Sequence, residues 1–132
     1  MKATVEVVKF FKDHRGFVLE PLAAESIADQ KNAHVVMTEP GGVRGNHYHE
    51  RGTEVAVVVG PALVRLREDG ATRDMQVPAG EAYRFTLPPR VSHAFQNTGE
   101  SMMLLIAFNT VMFDAAKPDV IPDILIARPA TA

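Results

Sequence analysis

Residues 41–49 read Gly-Gly-Val-Arg-Gly-Asn-His-Tyr-His and place His47 and His49 two positions apart. Alternate side chains of a β-strand point to the same face, so the two imidazoles are predicted to lie side by side. Glu54 follows after a short turn at Gly52 and can return its carboxylate to the same side of the chain. The stretch therefore predicts a short strand that lines a polar pocket.

A second group of residues can complete that pocket. Residues 88–93 read Pro-Pro-Arg-Val-Ser-His and place His93 one strand length after the turn at Gly80. An isolated His-x-His pair is more often exposed or hydrogen-bonded, but the downstream glutamate and the proline-flanked histidine favour a metal site. Three imidazoles and a carboxylate suit zinc, iron(II), manganese, nickel or copper, and without a sulfur ligand the choice among these ions stays open. The predicted metal ligands are His47, His49, Glu54 and His93.

Short apolar or β-branched runs predict an all-β protein around this pocket. Gly, Pro, Asn and Asp separate the runs at intervals of about 8–12 residues, which is typical of a β-sandwich or barrel. Asp69-Gly70 is a strong hairpin signal because both residues tolerate a positive φ. Only residues 22–29 look helical, so one short helical turn at most is expected. The predicted strands are residues 5–11, 17–19, 34–38, 46–49, 53–59, 63–68, 72–76, 83–86, 92–97 and 102–109, with 120–126 as an edge strand.

Two of these strands are predicted to be covered on both faces, because residues 55–59 and 102–108 are apolar at consecutive positions. An opposing sheet would cover one face, and a partner subunit or an end strand the other. Met102 and Met103 belong to the second run and are expected in the core.

Length and composition exclude several classes of protein. The chain has 132 residues, which suits one domain, and 14 Lys and Arg against 16 Asp and Glu give a net charge of −2. That balance argues against a nucleic-acid surface. The absence of cysteine excludes disulfides and thiolate chemistry. Residues 1–8 lack the features of a signal peptide and no apolar run is long enough to span a bilayer, so a cytoplasmic protein without a membrane partner is expected.

The two histidine segments resemble the two sequence motifs of the cupin family. The resemblance is carried by Gly41-(x5)-His47-x-His49-(x4)-Glu54 and by Pro88-x-Arg90-(x2)-His93-(x3)-Asn97. It implies a jelly-roll cupin barrel, a double-stranded β-helix, as a single domain over residues 1–132. Motif 1 would occupy residues 41–60, motif 2 residues 80–97, and a C-terminal edge segment residues 111–127.

The sequence departs from the cupin motifs at three places. Gly60 comes one residue earlier than the usual closing glycine, and the interval from Gly80 to Pro88 is longer than usual. Arg90 stands where a glycine is common. None of these departures touches a predicted metal ligand.

Three further segments carry a closer resemblance. Residues 44–49 resemble the cupin domains of capsular and lipopolysaccharide sugar-nucleotide biosynthesis, in particular the C-terminal cupin of enzymes that epimerise and reduce a UDP-4-keto-sugar. Residues 109–119 are similar to the tail of that domain. Residues 13–20 resemble the opening of dTDP-4-dehydrorhamnose 3,5-epimerases, with His14 in place of the usual acidic residue.

The resemblance implies a metal-binding epimerase or isomerase of a nucleotide-linked 4-keto-hexose in surface polysaccharide biosynthesis. The expected partners are a nucleotide-sugar and a second copy of the chain in a homodimer, and the expected cofactor is a divalent ion, zinc before iron, manganese or nickel. Two alternatives stay open: a cupin dioxygenase or isomerase of a small organic acid, and a non-catalytic, metal-dependent sugar-binding protein.

Removing a proton next to a ketone requires a base and a group that stabilises the enolate oxygen. His47 is the candidate base by resemblance to the metal-independent epimerases, but a nitrogen bound to a metal ion cannot also collect a proton. Tyr83 is the candidate that returns the proton; Tyr48 is less favoured because it faces away from the histidines.

Three arginines are candidate substrate-binding residues. Arg44 could hold a diphosphate, as the equivalent arginine does in the family. Arg15 could reach the site of a neighbouring subunit, and Arg90 adjoins His93 in motif 2. The two other histidines, His14 and His34, show no partner spacing and receive no role.

Overall fold

The computed structural model describes residues 2–128. It contains twelve β-strands and one short 3₁₀ helix, Ala24–Asp29. The strands are β1 Thr4–Val8, β2 Phe11–Asp13, β3 Gly16–Val18, β4 Asn32–Thr38, β5 Val43–His49, β6 Glu54–Val59, β7 Ala62–Glu68, β8 Ala71–Val77, β9 Ala82–Leu87, β10 Ser92–Asn97, β11 Met103–Asn109 and β12 Val120–Pro122. The all-β expectation with at most one helical turn is confirmed.

Ten of the strands form two five-stranded antiparallel sheets. Sheet 1 has the order β1-β9-β6-β11-β4, and sheet 2 has the order β12-β5-β10-β7-β8. The remaining pair, β2 and β3, forms a separate exposed hairpin. From β4 to β12 the chain alternates between the facing sheets at every step except β7 to β8, which is the arrangement of a jelly roll.

The hydrophobic core lies between the two sheets. Phe85 of sheet 1 and Phe95 of sheet 2 are both buried, with their ring centroids 6.1 Å apart. Val64 and Leu66 of β7 and Leu105 of β11 belong to the same buried cluster. The strict alternation of buried and half-buried residues along β7 follows from one face packing on sheet 1 while the other carries the arginines of an outer surface.

The two strands predicted to be covered on both faces behave differently. In β6 all four central residues are buried, and Val57 packs beneath Val8 and Leu19 of the N-terminal segment, so that prediction is confirmed. Strand β11 alternates instead, with half-buried residues on its outer face. The core prediction is right for Met103, which is 3% exposed, and wrong for Met102, which precedes the strand and is 45% exposed.

The predicted edge strand 120–126 is shorter in the structure and ends at Pro122. The residues that follow, 123–126, pack on the outer face of sheet 2. Asn46 holds them there: its side-chain oxygen accepts hydrogen bonds from the backbone N–H groups of Leu125 and Ile126, and its amide donates to the Ile126 carbonyl. Asn46 has a φ of +58°, a conformation that asparagine tolerates better than most residues. Among residues 2–128, no helix is long and apolar enough to cross a membrane.

Candidate metal centre and ligand cavity

A cavity of about 390 Å³ opens between the two sheets. Most of its wall is apolar, from strands β4, β10 and β11 and from the chain after β11. Among the polar side chains that line it, four come from both sheets and form a cluster. That cluster, called the four-residue cluster below, consists of His47, His49, Glu54 and His93.

Strand pairing explains why these four residues meet. His47 on β5 is paired directly with His93 on β10, and His49 lies on the same face of β5 two residues further on. Glu54 is the first residue of β6 and reaches them from the opposite sheet. One ligand atom from each residue can be chosen so that all four lie within 4.8 Å of one another. The four side chains could hold a metal ion.

Glu54 lies between two of the imidazoles. Its Oε1 is 3.2 Å from Nε2 of His49, and its Oε2 is 3.1 Å from Nε2 of His93. The Nδ1 atom of His93 lies 3.0 Å from the carbonyl oxygen of Val91 and donates to it, which turns Nε2 toward the cluster. The contact with Glu54 lacks the alignment of a hydrogen bond, so this fully buried nitrogen has no hydrogen-bond partner among the described residues.

The charges in the cluster shift the pKa values of its members. Burial opposes ionisation of Glu54, but the charge of His93 and the hydrogen bond from His49 outweigh burial and hold the pKa of the Glu54 carboxyl far below its usual range. Burial also opposes protonation of His93, yet the Glu54 carboxylate raises the pKa of His93 above its usual value. Glu54 therefore attracts positive charge to Nε2 of His93, which a proton or a divalent cation can supply.

His47 differs electrostatically from the other two histidines. Burial, together with the positive charge of His93, lowers the pKa of His47 to about 4. Its imidazole is therefore neutral at pH 7, the form that either binds a metal ion or accepts a proton. Within residues 2–128 its ring nitrogens make no hydrogen bond, and the ring meets His93 edge to face with the centroids 4.8 Å apart.

Two residues behind His49 were missed by the sequence analysis. Nδ2 of Asn109 lies 3.2 Å from Nδ1 of His49, and Oδ2 of Asp119 lies 3.6 Å from the same atom. The Asp119 carboxylate is held by the backbone N–H groups of Arg51 and Gly52, which lower its pKa although burial opposes the shift. Both residues lie in the 109–119 segment that carried part of the resemblance, so only that likeness could have pointed to them.

Of the three candidate arginines, the structure places only Arg44 at the cavity. Its guanidinium group donates to Thr38 Oγ1 at 3.0 Å and to the Met37 carbonyl at 3.1 Å, both at the end of β4. Arg15 is exposed on the β2–β3 hairpin and pairs with Asp13.

Arg90 and Tyr83 also lie outside the cavity lining. Arg90 is exposed, pairs with Glu50 at 3.0 Å and has a φ of +67°, the left-handed conformation for which the cupin motif commonly has glycine. Tyr83 packs against the core beside Phe85.

His34, to which the sequence analysis gave no role, lines the cavity. It lies on β4 with Asn32 and Val36 on the same face, and all three contribute to the wall. The only sequence signal for this placement is the shared face with Val36, because no ligand-like spacing connects His34 to the four-residue cluster.

Comparison with known proteins identifies both relatives and structural neighbours. A 3-hydroxyanthranilate 3,4-dioxygenase of Xanthomonas oryzae pv. oryzae is 28% identical over 99 residues, which are 74% of this chain and 54% of the relative. The chain thus spans about half the length of this curated relative.

Two solved structures share the fold. The capsular polysaccharide assembling protein CapF of Staphylococcus aureus matches 89% of this chain with 33% of its own length, at 24% identity and a TM-score of 0.67. The sugar 3,4-ketoisomerase QdtA of Thermoanaerobacterium thermosaccharolyticum, solved in complex with TDP, matches 92% of this chain with 88% of its own length, at 17% identity and a TM-score of 0.70. At these identities the likeness shows the fold alone, the two-sheet jelly roll described above.

A family model described as the polysaccharide biosynthesis C-terminal domain matches residues 11–121. The match includes both histidine segments and the tail that carries Asn109 and Asp119. It covers well over half of the 132 residues. The chain therefore belongs to the polysaccharide biosynthesis C-terminal domain family.

Proposed function

We propose that this protein is a metal-dependent cupin epimerase or isomerase that acts on a nucleotide-linked 4-keto-hexose in the cytoplasm, during surface polysaccharide biosynthesis. The observation that carries the proposal is the position of the four-residue cluster, which forms part of the wall of an otherwise largely apolar cavity with Arg44 on the same wall. Membership of a polysaccharide biosynthesis family and the shared fold with a TDP-bound ketoisomerase support the substrate class.

The residues of the cluster fit a divalent metal ion. Nitrogen and carboxylate ligands suit zinc, with iron, manganese and nickel as alternatives. The buried Nε2 of His93, which has no hydrogen-bond partner among the described residues, is the atom a bound ion would satisfy. We propose His47, His49, Glu54 and His93 as the ligands. A bound ion would supply a Lewis acid that polarises the ketone oxygen of the substrate.

Replacement of Asp119 with asparagine is expected to lower the affinity for zinc about 10- to 100-fold. When Nε2 of His49 binds a metal ion, Nδ1 carries the proton, and the Asp119 carboxylate, with its Oδ2 3.6 Å from Nδ1, stabilises the positive charge on the imidazole. A side-chain amide carries no net charge and would not give this electrostatic stabilisation. Competition with a chromogenic chelator measures the affinity. Asp114→Asn, a carboxylate at the same cavity, is the matched control, and an affinity of Asp119→Asn within twofold of wild type contradicts the role.

Replacement of Arg44 with glutamine is expected to weaken the binding of dTDP about 10- to 100-fold. The guanidinium group is anchored on β4 at the cavity, and hydrogen bonds to charged groups contribute about 1.5–3 kcal/mol. Isothermal titration calorimetry measures the change. Arg73→Gln is the control, since Arg73 pairs with Glu68 on β7 and does not line the cavity. Equal affinity of wild type and Arg44→Gln would remove Arg44 from the proposed binding site.

The reaction itself is tested by incorporation of solvent deuterium into dTDP- and UDP-4-keto-sugars, followed by NMR. Metal-loaded protein is expected to exchange a hydrogen next to the ketone faster than a protein-free control. If exchange equals that control for several such sugars while dTDP still binds, the protein is a non-catalytic sugar-binding cupin. Light scattering tests the proposed homodimer, which a mass near one chain would contradict.

The dioxygenase relatives favour a second candidate function. They are 27–29% identical to this chain over about three quarters of its length, and the largely apolar cavity wall suits an aromatic acid. Oxygen consumption by the iron(II)-loaded protein with 3-hydroxyanthranilate distinguishes the two candidates. Uptake of one O₂ per substrate without deuterium exchange into keto-sugars would replace the proposed function with this one.

A further inference from the structure

We propose that His34 is the residue that transfers the substrate proton in this cavity, an inference that rests on the proposed epimerase or isomerase function. The four-residue cluster leaves the reaction without an independent base, because its three imidazoles are all proposed metal ligands. His34 is the remaining histidine that lines the cavity.

Strand register fixes the position of His34 relative to the cluster. Across sheet 1, Glu54 is paired with Asn109 and Asn109 with Asn32, while His34 is paired with Ala107 in the next row on the same face. His34 is thus two strands away from Glu54 across the sheet and displaced by two residues along the strand direction. With strand spacings of about 4.8 Å and a rise of about 3.4 Å per residue, the two Cα atoms are about 12 Å apart. His34 is too far from the cluster to share a metal ion with it.

The residue between them leaves room for a ligand. Ala107 lines the cavity on strand β11, which lies between β4 and β6, and its side chain is a single methyl group. In the row of paired residues that contains His34, Ala107 and Ala56 follow on β11 and β6, so only a methyl group lies between His34 and the strand that carries Glu54. A small ring held over Ala107 would face the cluster on one side and the imidazole of His34 on the other.

His34 is free to meet such a ligand. It is exposed, and within residues 2–128 its side chain makes no hydrogen bond, ion pair or ring contact. The imidazoles of the cluster, by contrast, contact one another. An imidazole can act as a general base and, once protonated, as a general acid.

A cationic group lies on the same wall as His34. Arg44 is hydrogen-bonded to Met37 and Thr38, at the end of the strand that carries His34. A diphosphate held by Arg44 would place the attached sugar along β4. The other charged or titratable side chains that line the cavity are the four-residue cluster, Asp114 and Asp119.

The proton transfer balances without an oxidant. The neutral imidazole of His34 takes the hydrogen next to the ketone as a proton, and the C–H electron pair becomes the carbon–carbon double bond of an enolate while the carbonyl oxygen takes the charge. Protonation of the opposite face of that carbon by water gives an epimer, and the proton on His34 then passes to the hydroxide left behind. Return of the proton from His34 to the former carbonyl carbon, after a hydroxyl proton moves to the other oxygen, gives the isomeric ketone.

The test compares His34→Gln with His14→Gln, a substitution of an exposed histidine on the β2–β3 turn outside the cavity. Each protein is loaded with zinc and given dTDP-4-keto-6-deoxyglucose in D₂O. We expect the exchange rate of His34→Gln to fall at least about 100-fold, as for loss of a general base, and that of His14→Gln to stay within twofold. Zinc content and the Kd for dTDP should be unchanged in both.

Two further measurements separate proton transfer from a structural role. The pH profile of the exchange rate should differ between wild type and His34→Gln, and added imidazole should restore exchange in His34→Ala. Exchange by His34→Gln within threefold of wild type overturns the role of His34 and leaves the proposed function intact. Absence of exchange with wild-type protein overturns both.

Discussion

Replacement of Glu54 with glutamine is expected to lower the affinity of the protein for a divalent metal ion by about 100-fold or more. Glu54 supplies the only anionic group of the four-residue cluster, and it lies within 3.2 Å of the nearest imidazole nitrogens of both His49 and His93. Binding of a structural zinc ion by four ligands releases about 10–16 kcal/mol. An equal share for one ligand is about 3 kcal/mol, which corresponds to about 100-fold in affinity.

The measurement is a zinc competition titration at constant pH, supported by the absorption spectrum of the cobalt-loaded protein. Glu81→Gln removes an exposed carboxylate on the turn before β9 and should bind zinc like wild type. A Glu54→Gln protein that binds zinc within threefold of wild type would show that the cluster is not the metal site. Circular dichroism of the metal-free variant establishes that the fold is retained.

The largest expected effect on stability comes from Phe85→Ala, which should lower the free energy of unfolding by about 3–5 kcal/mol. Phe85 is fully buried between the sheets and contacts the rings of Phe95 and Tyr83, so truncation removes a large apolar side chain and leaves a cavity. For a chain of this size, the midpoint of thermal unfolding should fall by about 10–20 °C.

Urea unfolding followed by circular dichroism measures this difference. Phe113→Ala is the matched control, because Phe113 is 76% exposed and its truncation should change the free energy of unfolding by less than about 0.5 kcal/mol. Equal losses from the two substitutions would contradict the placement of the core between the sheets.

The parts of the molecule that the sequence predicted well depend on local spacing. The alternation of His47 and His49 on one strand, the short turn to Glu54 and the distance from Gly80 to His93 are all short-range features. Their convergence then requires only that β5 and β10 pair and that β6 faces them, as the jelly roll provides. The single helical turn and the coverage of β6 on both faces followed from composition in the same way.

The features that the sequence did not reveal depend on contacts between distant segments. Asn109 and Asp119 approach His49 from 60 and 70 positions away in the chain, and His34 reaches the cavity only through the pairing of β4 with β11. The early end of the last strand results from the hydrogen bonds of Asn46. The core prediction for Met102 was wrong because the apolar run begins one residue before β11.

Because Glu54 lies on sheet 1 and the three histidines on sheet 2, a bound ion would tie the two halves of the sandwich together. Its occupancy should then resist any motion that separates the layers, and heating should release the ion as the layers part. The visible absorption of a bound cobalt ion would thus report the separation of the two sheets. The chain contains no tryptophan whose fluorescence could do so.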